Sequence, residues 1–151
     1  MSNSPAQAPE RRRRILIVDD DESARRDFCE ALEAAGFEVA EAWSVVQAMR
    51  LLLSFKPDAV VLDLILPDGH GSEVGRAMQA IVTTQKTCVV AVTRSTATEA
   101  LDPGSFGART ILLKPLAAEA LLDAVGECFA PAEARDEVQR PEARPSLGDV
   151  S

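Results

Sequence analysis

Cysteine, histidine and long apolar runs are scarce in this sequence of 151 residues. The three cysteines, Cys29, Cys88 and Cys128, are an odd number at wide spacing, which favours reduced thiols over a disulfide framework or a zinc site. The one histidine, His70, lies between two glycines, so we expect an exposed loop residue and not a metal ligand. No apolar run approaches the ~20 residues that span a bilayer, and residues 1–10 lack the apolar centre of a secretory signal. We therefore predict a cytoplasmic protein without a membrane segment.

Positive charge is also in short supply, because 16 lysines and arginines face 24 acidic residues and the net charge is −8. Binding to nucleic acid needs surplus cations that neutralise phosphates, so this charge argues against a general nucleic-acid partner. One local exception is the basic run Arg11–Arg14. It is either a docking patch for an acidic partner or a solvated arm before the first strand, and the solvated arm is the favoured interpretation.

The composition along the chain predicts one folded domain between two flexible ends. Hydrophobic residues make up 46% of the sequence, and the length suits a single domain that buries its own core. Residues 1–13 are predicted to be a flexible arm and residues 14–130 the folded domain. Residues 131–151 contain prolines and almost no large apolar side chains, so they cannot bury enough surface to offset their ordering entropy. We predict a disordered tail there.

The apolar residues follow two alternating patterns. Short continuous runs of Val, Ile and Leu are typical of strands buried on both faces of a parallel sheet. Such runs occur at Ile15–Val18, Ala59–Leu62, Val89–Val92 and Ile111–Leu113, with a weaker strand at Phe37–Ala42. Helical patterns lie between them, one from about Ala24 to Ala35 ended by Gly36, one after the capping residue Ser44, one at Gly71–Ile81 and one at Ala117–Phe129. This alternation predicts a doubly wound, five-stranded parallel α/β sheet with right-handed crossovers.

Polar residues collect where the predicted strands end. They are Asp19, Asp20 and Asp21 after the first strand, Asp63 after the third, Thr93 after the fourth and Lys114 after the fifth. The functional site of such a sheet lies beyond the carboxyl ends of its strands. Converging carboxylates repel one another unless a cation joins them, and a few carboxylates with water suit Mg²⁺. Because a carboxylate can also attack phosphorus while a hydroxyl and an ammonium group hold phosphoryl oxygens, the pattern predicts a phosphoryl-transfer site.

Each feature has a simpler interpretation when it is taken alone. Asp21 is expected to cap the next helix, Asp68-Gly69 is typical of a turn, and a Lys-Pro pair after a strand is common. Because the features fall at the ends of several strands of one predicted sheet, coincidence is a poor explanation for the whole set.

Four blocks of sequence carry a resemblance to a known family: ILIVDDDE at 15–22, VVLDLILPDGHG at 60–71, VVAVT at 89–93 and GARTILLKPL at 107–116. In order and spacing they resemble the receiver domains of two-component response regulators, over about residues 14–130. The resemblance implies a flavodoxin-like (βα)5 receiver fold and phosphorylation of Asp63. It also implies that Asp20 and Asp63 bind Mg²⁺ directly, that Asp19 acts through water and that the backbone carbonyl of Ile65 is a further ligand. Thr93 and Lys114 would hold the phosphoryl oxygens.

The same resemblance implies a function and partners. The chain is expected to be a single-domain response regulator that accepts phosphate from a sensor histidine kinase or a histidine phosphotransfer protein and then switches its binding to a downstream protein target. It would catalyse its own phosphorylation and a slow dephosphorylation, without conventional turnover of a substrate. A homodimer is a further expectation, since receivers often pair through the last helices and strand.

The sequence departs from the family pattern at three places. Arg94 follows Thr93 where the family has a small residue; it would crowd the site, pair with a phosphate or a partner carboxylate, or stay in solvent, and solvent exposure is favoured. Ile111 stands where the family often has the Tyr or Phe that swings inward on activation. The stretch 95–108 contains Asp102-Pro103-Gly104, so the fourth helix is predicted to be short or broken. These departures leave open an alternative, a phosphorylation-independent receiver-like scaffold for protein interaction.

Two further functions, a phosphatase and a flavin-binding module, fit the sequence less well. Phosphatases with an aspartate nucleophile have a second aspartate two residues later as general acid, and Ile65 stands at that position. A flavin-binding module on a similar sheet needs a Ser/Thr/Gly-rich phosphate loop after the first strand, where this chain has three aspartates.

Overall fold

The structure, a computed structural model of the chain, describes residues 11–94 and 102–130. The strands of its main sheet are β1 (Arg14–Val18), β2 (Glu38–Ala42), β3 (Ala59–Asp63), β4 (Cys88–Thr93) and β5 (Ala108–Leu113). They are all parallel and lie in the order β2-β1-β3-β4-β5. The α-helices of the described residues are α1 (Glu22–Ala34), α2 (Val45–Ser54), α3 (Gly71–Ala80) and α4 (Ala118–Cys128). Within these residues no helix has the length and apolar character needed to cross a membrane.

The sheet is buried on both faces, as the continuous apolar runs predict. Alternate residues of β1 point to opposite sides: Leu16 and Val18 belong to a core beneath α2 and α3, whereas Ile15 and Ile17 belong to a core beneath α1 and α4. All residues of β3 are buried, so this central strand has no solvent-facing side. The predicted doubly wound α/β fold is confirmed. Its strand order reverses between β1 and β3, which is where ligands bind in sheets of this kind.

The helix ends follow the predicted capping residues. Asp21 caps α1, because its side chain accepts hydrogen bonds of 3.0 and 3.3 Å from two backbone N–H groups in the first turn. Ser44 caps α2 by accepting a hydrogen bond of 3.2 Å from the N–H of Gln47. Gly36 has a φ of +101° shortly after α1 ends, a left-handed conformation that favours glycine. These local predictions are confirmed.

The fourth helix, predicted to be short or broken, would lie in the connection between β4 and β5. Residues 95–101 of this connection lie outside the described residues, as do residues 1–10 of the predicted arm and 131–151 of the predicted tail. The rest is a single 3₁₀ helix, Pro103–Phe106, which Asp102 caps and Gly107 ends with a φ of +79°. Phe106 is fully buried, and a Cβ atom at Gly75 of α3 would lie 2.3 Å from its carbonyl oxygen. The described part of the connection is therefore short and tightly packed.

The prediction of three reduced thiols is wrong for two of them. Cys88 begins β4 and Cys128 ends α4, and they form a disulfide with Cα atoms 5.9 Å apart. The residues are 40 positions apart in the sequence, and they meet because α4 runs back along the sheet to the start of β4. Spacing along the sequence gives no sign of this contact. Cys29 on α1 is a free thiol, and burial together with nearby acidic side chains raises its pKa to about 12.

Arg11, Arg12 and Arg13 are exposed, as the favoured interpretation of the basic run expects, and two of them have contacts within the chain. Arg11 donates two hydrogen bonds to the carboxylate of Asp58, at 3.1 and 3.2 Å. The guanidinium group of Arg13 lies over the ring of Phe129, 4.4 Å from the ring centroid. These exposed side chains therefore contact the segment before β3 and the residue after α4.

Candidate functional site

The acidic residues predicted from the sequence meet at the carboxyl edge of the sheet. β1 and β3 are adjacent and parallel, with Val18 beside Leu62, so the residues that come next in each chain segment lie side by side. Asp19 and Asp63 are buried, with 2% and 5% of their surface exposed, whereas Asp20 is exposed. One carboxylate oxygen from each of the three lies within 4.8 Å of the others. We refer to Asp19, Asp20 and Asp63 as the acidic pocket.

Lys114 brings positive charge into the acidic pocket from the end of β5. Its Nζ atom lies 2.6 Å from Oδ2 of Asp19 and 3.3 Å from Oδ2 of Asp63. The Lys114 side chain is 8% exposed, so both ion pairs are largely shielded from water. The backbone N–H of Lys114 donates to the carbonyl oxygen of Thr93 at 2.8 Å, which holds the lysine beside the end of β4.

Thr93 ends β4 and is fully buried. Its strand lies between β3 and β5, and the residue before it, Val92, is in register with Asp63. Val92 also accepts a hydrogen bond of 2.9 Å from the backbone N–H of Leu64. Thr93 is therefore held next to the strand end that carries Asp63. The structure thus brings the predicted residues of β1, β3, β4 and β5 to one edge.

The pKa of Asp63 is raised to about 6. Burial is the main cause and the Asp19 carboxylate adds to it, while the backbone N–H of Ile65 and the ammonium group of Lys114 act in the opposite direction. The hydrogen bond from Ile65 and the charge of Lys114 therefore do not fully offset the cost of burying the ionised Asp63 carboxylate. A further cation would favour the ionised form, and carboxylate oxygens are preferred ligands of Mg²⁺. The donor set of the acidic pocket fits that ion.

The chain turns sharply after Asp63, whose Oδ1 atom accepts a hydrogen bond of 3.0 Å from the backbone N–H of Ile65. Residues Ile65–Leu66 then pair with Gly69–His70 in a short antiparallel hairpin. The Ile65 side chain is half exposed, at 48%. This hairpin forms one wall of the site, between the acidic pocket and the start of α3.

Asp68, in the turn of this hairpin, has a role that sequence reasoning missed. Its carboxylate accepts hydrogen bonds from the backbone N–H groups of Val45 at 2.7 Å and Val46 at 3.1 Å, at the start of α2. These hydrogen bonds lower the pKa of Asp68. The sequence indicated only a turn at Asp68-Gly69, because residues 23 positions apart leave no local signal of a shared cap. The contact ties the hairpin beside the acidic pocket to α2.

The start of α3 departs from the prediction for His70. This residue is the half-buried N-cap of α3 and not an exposed loop residue. Its Nδ1 atom lies 3.2 Å from the backbone N of Ser72 and 2.8 Å from the Ser72 hydroxyl. A Cβ atom at the next residue, Gly71, would lie 2.2 Å from the backbone carbonyl oxygen of Asp63. Glycine is therefore needed for α3 to approach the end of β3 this closely.

Arg94 lies at the mouth of the acidic pocket. Its side chain is 59% exposed, as the favoured interpretation expects, and its Nη2 atom lies 3.4 Å from Oδ2 of Asp21. A cavity of about 370 Å³ is lined by Asp20, Asp21, Asp63, Ile65 and Arg94. Arg94 therefore borders the open space next to the Asp63 carboxylate.

Residues 15–126 match a family model described as the response regulator receiver domain. The transcriptional regulatory proteins PrrA of Mycobacterium tuberculosis and Mycobacterium bovis are 34% identical to this chain over 84 residues. The match covers 56% of this chain and 36% of each relative, so the chain spans about a third of the length of these curated relatives.

Solved structures share the fold. The non-phosphorylated receiver domain of HemR from Leptospira biflexa has a TM-score of 0.71 at 28% identity, with 80% of this chain and 96% of that chain covered. The chemotaxis response regulator CheY4 of Vibrio cholerae has a TM-score of 0.73 at 26% identity, with 79% of this chain and 100% of that chain covered. These matches confirm the flavodoxin-like receiver fold and the resemblance carried by the four sequence blocks. The chain belongs to the family of response regulator receiver domains of two-component signalling.

Proposed function

We propose that this receiver domain accepts a phosphoryl group on Asp63 with the help of Mg²⁺, and thereby switches its protein–protein interactions as a single-domain response regulator. The observation that carries the proposal is the position of Asp63, a buried carboxylate that borders an open cavity and lies 3.3 Å from Lys114. Burial of a carboxylate is unfavourable without full compensation. A carboxylate with a raised pKa at the edge of a cavity is therefore a candidate for chemistry and not a stabilising feature of the fold.

The acidic pocket supports a resident magnesium ion. Asp20, Asp63 and the backbone carbonyl of Ile65 would bind it directly, and Asp19 would act through water. Lys114 lies closer to Asp19, at 2.6 Å, than to Asp63, at 3.3 Å, which supports the indirect role of Asp19. When bound, Mg²⁺ would neutralise charge on the phosphoryl oxygens and lessen their repulsion by the carboxylates.

The proposed transfer needs an ionised Asp63. One of its carboxylate oxygens attacks phosphorus, so that a P–O bond forms while the P–N bond to a donor phosphohistidine breaks. The bonding electron pair stays on that nitrogen, and the histidine leaves as neutral imidazole because its other ring nitrogen carries a proton. The ammonium group of Lys114 and the hydroxyl of Thr93 would hold phosphoryl oxygens during transfer.

Dephosphorylation would return Asp63 to its starting form. Water attacks phosphorus, the P–O bond to Asp63 breaks, and inorganic phosphate leaves while a proton passes to solvent. The chain would therefore catalyse its own phosphorylation and slow dephosphorylation, as the sequence resemblance implies.

The proposed partners are proteins. A sensor histidine kinase or a histidine phosphotransfer protein is the proposed donor, and a downstream protein is the proposed target. The net charge of −8 supports a protein over nucleic acid as the direct target. A homodimer and a cytoplasmic location stay predictions.

Incubation with acetyl phosphate and Mg²⁺, followed by intact-protein mass spectrometry, tests the proposal. We expect the wild type to gain the mass of one phosphoryl group and Asp63→Asn to gain none, because an amide is a much poorer nucleophile toward phosphorus. Asp123→Asn changes an exposed aspartate on α4 and is the matched control, which should keep the gain. A wild type that stays unmodified would contradict the proposal, as would modification of Asp63→Asn.

One observation favours the alternative of a phosphorylation-independent scaffold. Ile111, at the position of the family's usual aromatic switch, is half-buried on β5 and packs against the core beneath α2 and α3. A pull-down from a cell extract with and without the phosphoryl mimic beryllofluoride separates the two functions. A target captured equally in both conditions favours the scaffold, whereas capture in one condition alone favours the switch.

A further inference from the structure

Arg94 is a second cation at the acidic pocket, and it is held differently from Lys114. Lys114 is buried, with its Nζ atom 2.6 Å from Asp19. The ion pair between Arg94 and Asp21 measures 3.4 Å, and the two side chains are 59% and 40% exposed. Ion pairs with this much exposure contribute little to stability. Arg94 is therefore able to change partners at small cost, whereas Lys114 is not.

Asp21 does not depend on Arg94 for its structural role. Its Oδ1 atom accepts the two hydrogen bonds that cap α1, at 3.0 and 3.3 Å. The contact with Arg94 uses the other oxygen, Oδ2. Arg94 can therefore leave Asp21 while the cap of α1 stays intact.

The charges around the site call for a second cation once a phosphoryl group is present. Among the described residues, four carboxylates face two cations: Asp19, Asp20, Asp21 and Asp63 against Lys114 and Arg94. The nearby Arg25 is already paired with Glu41 at 2.9 Å. A phosphoryl group on Asp63 replaces one negative charge by about 1.5–2, so the need for positive charge grows.

Arg94 also lies in the right place and has the right shape. It borders the cavity of about 370 Å³ that Asp63 lines and a second cavity of about 380 Å³ that Lys114 lines. Its planar guanidinium group presents N–H donors in a fork that matches the oxygens of a phosphoryl group. Arg94 directly follows the buried Thr93, and its own side chain is exposed.

We propose that Arg94 is an anion-binding residue of this site, which exchanges its ion pair with Asp21 for the phosphoryl group at Asp63. The inference rests on the proposed function, because it requires a phosphoryl group at that carboxylate. This role predicts the opposite of steric crowding. A bulky side chain that merely crowded the site would weaken anion binding, and its removal would strengthen that binding.

A positive charge beside the pocket has effects of opposite sign on a cation and on an anion. Arg94→Ala should weaken binding of beryllofluoride, the phosphoryl mimic, by about three- to tenfold in the presence of Mg²⁺. The same variant should bind Mg²⁺ alone about two- to fivefold more tightly at low salt, because a repulsive charge is gone. A residue with a merely structural role would not change the two affinities in opposite directions.

The experiment titrates the full chain with Mg²⁺ alone and then with beryllofluoride at saturating Mg²⁺, by isothermal titration calorimetry. Fluorescence of the single tryptophan, Trp43, gives a second readout, because Trp43 and Asp20 line the same surface cleft. Arg94→Lys keeps the charge without the fork, so it should keep the wild-type Mg²⁺ affinity and lose part of the anion affinity. Arg26→Ala is the matched control, since Arg26 is 65% exposed, pairs with Glu22 and lines neither of the two cavities that Arg94 borders; both affinities should match the wild type.

The outcomes separate this inference from the proposed function. A wild type that binds no beryllofluoride and takes no phosphoryl group from acetyl phosphate overturns the proposed function, and the inference falls with it. A wild type that binds beryllofluoride while Arg94→Ala binds it equally or more tightly overturns the role of Arg94 alone.

A double-mutant cycle identifies the partner that Arg94 leaves. Asp21→Ser keeps a capping side chain at the start of α1 and removes the carboxylate that competes for Arg94. It should strengthen beryllofluoride binding in the wild type by more than in the Arg94→Ala background. Equal effects in the two backgrounds would contradict the exchange of partners.

Discussion

The two edges of the sheet hold their polar groups in different ways. At the carboxyl edge, Asp63 is buried with too little positive charge around it, and its pKa is raised to about 6. At the amino edge, the carboxylate of Asp58 accepts a part-buried hydrogen bond of 2.8 Å from the backbone N–H of Arg14, and Cys88 and Cys128 form a disulfide. The amino edge therefore contributes to the stability of the fold. At the carboxyl edge, burial of the Asp63 carboxylate is unfavourable, and the stability of the rest of the fold offsets this cost. Three substitutions test this difference between the two edges.

The largest effect on stability is expected at the amino edge. The disulfide joins residues 40 positions apart and restricts the unfolded chain, so Cys88→Ser should lower the free energy of unfolding by about 2–4 kcal/mol. Urea denaturation with and without reductant measures the change. Because the disulfide lies at the opposite edge from Asp63, phosphorylation by acetyl phosphate should stay within about twofold of the wild-type rate.

The free cysteine provides the control for this prediction. Cys29→Ser leaves the disulfide in place, so this variant should still lose stability when reductant is added. A Cys88→Ser protein that unfolds at the wild-type urea concentration would show that the amino edge does not stabilise the fold in this way.

A change at the carboxyl edge should affect both stability and function. The Cβ atom of Gly71→Ala would meet the Asp63 carbonyl oxygen at 2.2 Å, so α3 and the end of β3 must move apart. Overpacking of this kind costs about 1–3 kcal/mol, and it should also slow phosphorylation because Asp63 moves with the strand end. Thermal denaturation and the acetyl phosphate assay measure the two effects.

Gly126→Ala is the matched control for that substitution. Nothing lies within 4 Å of a Cβ atom at Gly126 on α4, so the variant should be more stable by up to about 1 kcal/mol. Equal stabilities of the Gly71→Ala and Gly126→Ala proteins would contradict a close approach between α3 and β3.

The smallest predicted effect is a pH-dependent gain in stability from Asp63→Asn. The folded protein raises the pKa of Asp63 from 3.8 to about 6, so between these values the folded state binds a proton more strongly than the unfolded state. This contribution to stability is lost as the pH rises through that window. At neutral pH and without divalent ions, Asp63→Asn should therefore be more stable than the wild type by on the order of 1–2 kcal/mol. Near pH 3.5 the difference should be much smaller.

Urea denaturation in EDTA at a series of pH values checks this prediction. The expected result is a convergence of the two stability curves at acidic pH and a constant gap above about pH 7, where the folded-state carboxyl group is fully ionised. A wild type that is more stable than Asp63→Asn at neutral pH would mean that the carboxyl edge stabilises the fold as the amino edge does.

Much of the candidate site was predictable because the sequence patterns that mark it span only a few neighbouring residues. The buried run that ends at Asp63 has the composition of a central parallel strand, and the residues after such strands must lie at a common edge. Asp19, Asp63, Thr93 and Lys114 therefore met where the pattern indicated. The caps at Asp21 and elsewhere were predictable for the same reason, since a cap and its helix are neighbours in sequence.

The strands, the described α-helices and the edge at which the charges collect follow from local sequence, because periodicity and capping act over a few residues. Three further contacts come from the packing of the folded chain: the disulfide, the cap that Asp68 supplies to α2, and the approach of Gly71 to Asp63. Two of these join residues 40 and 23 positions apart. Such contacts depend on where the helices and the hairpin pack against the sheet. A pattern of neighbouring residues does not predict those positions.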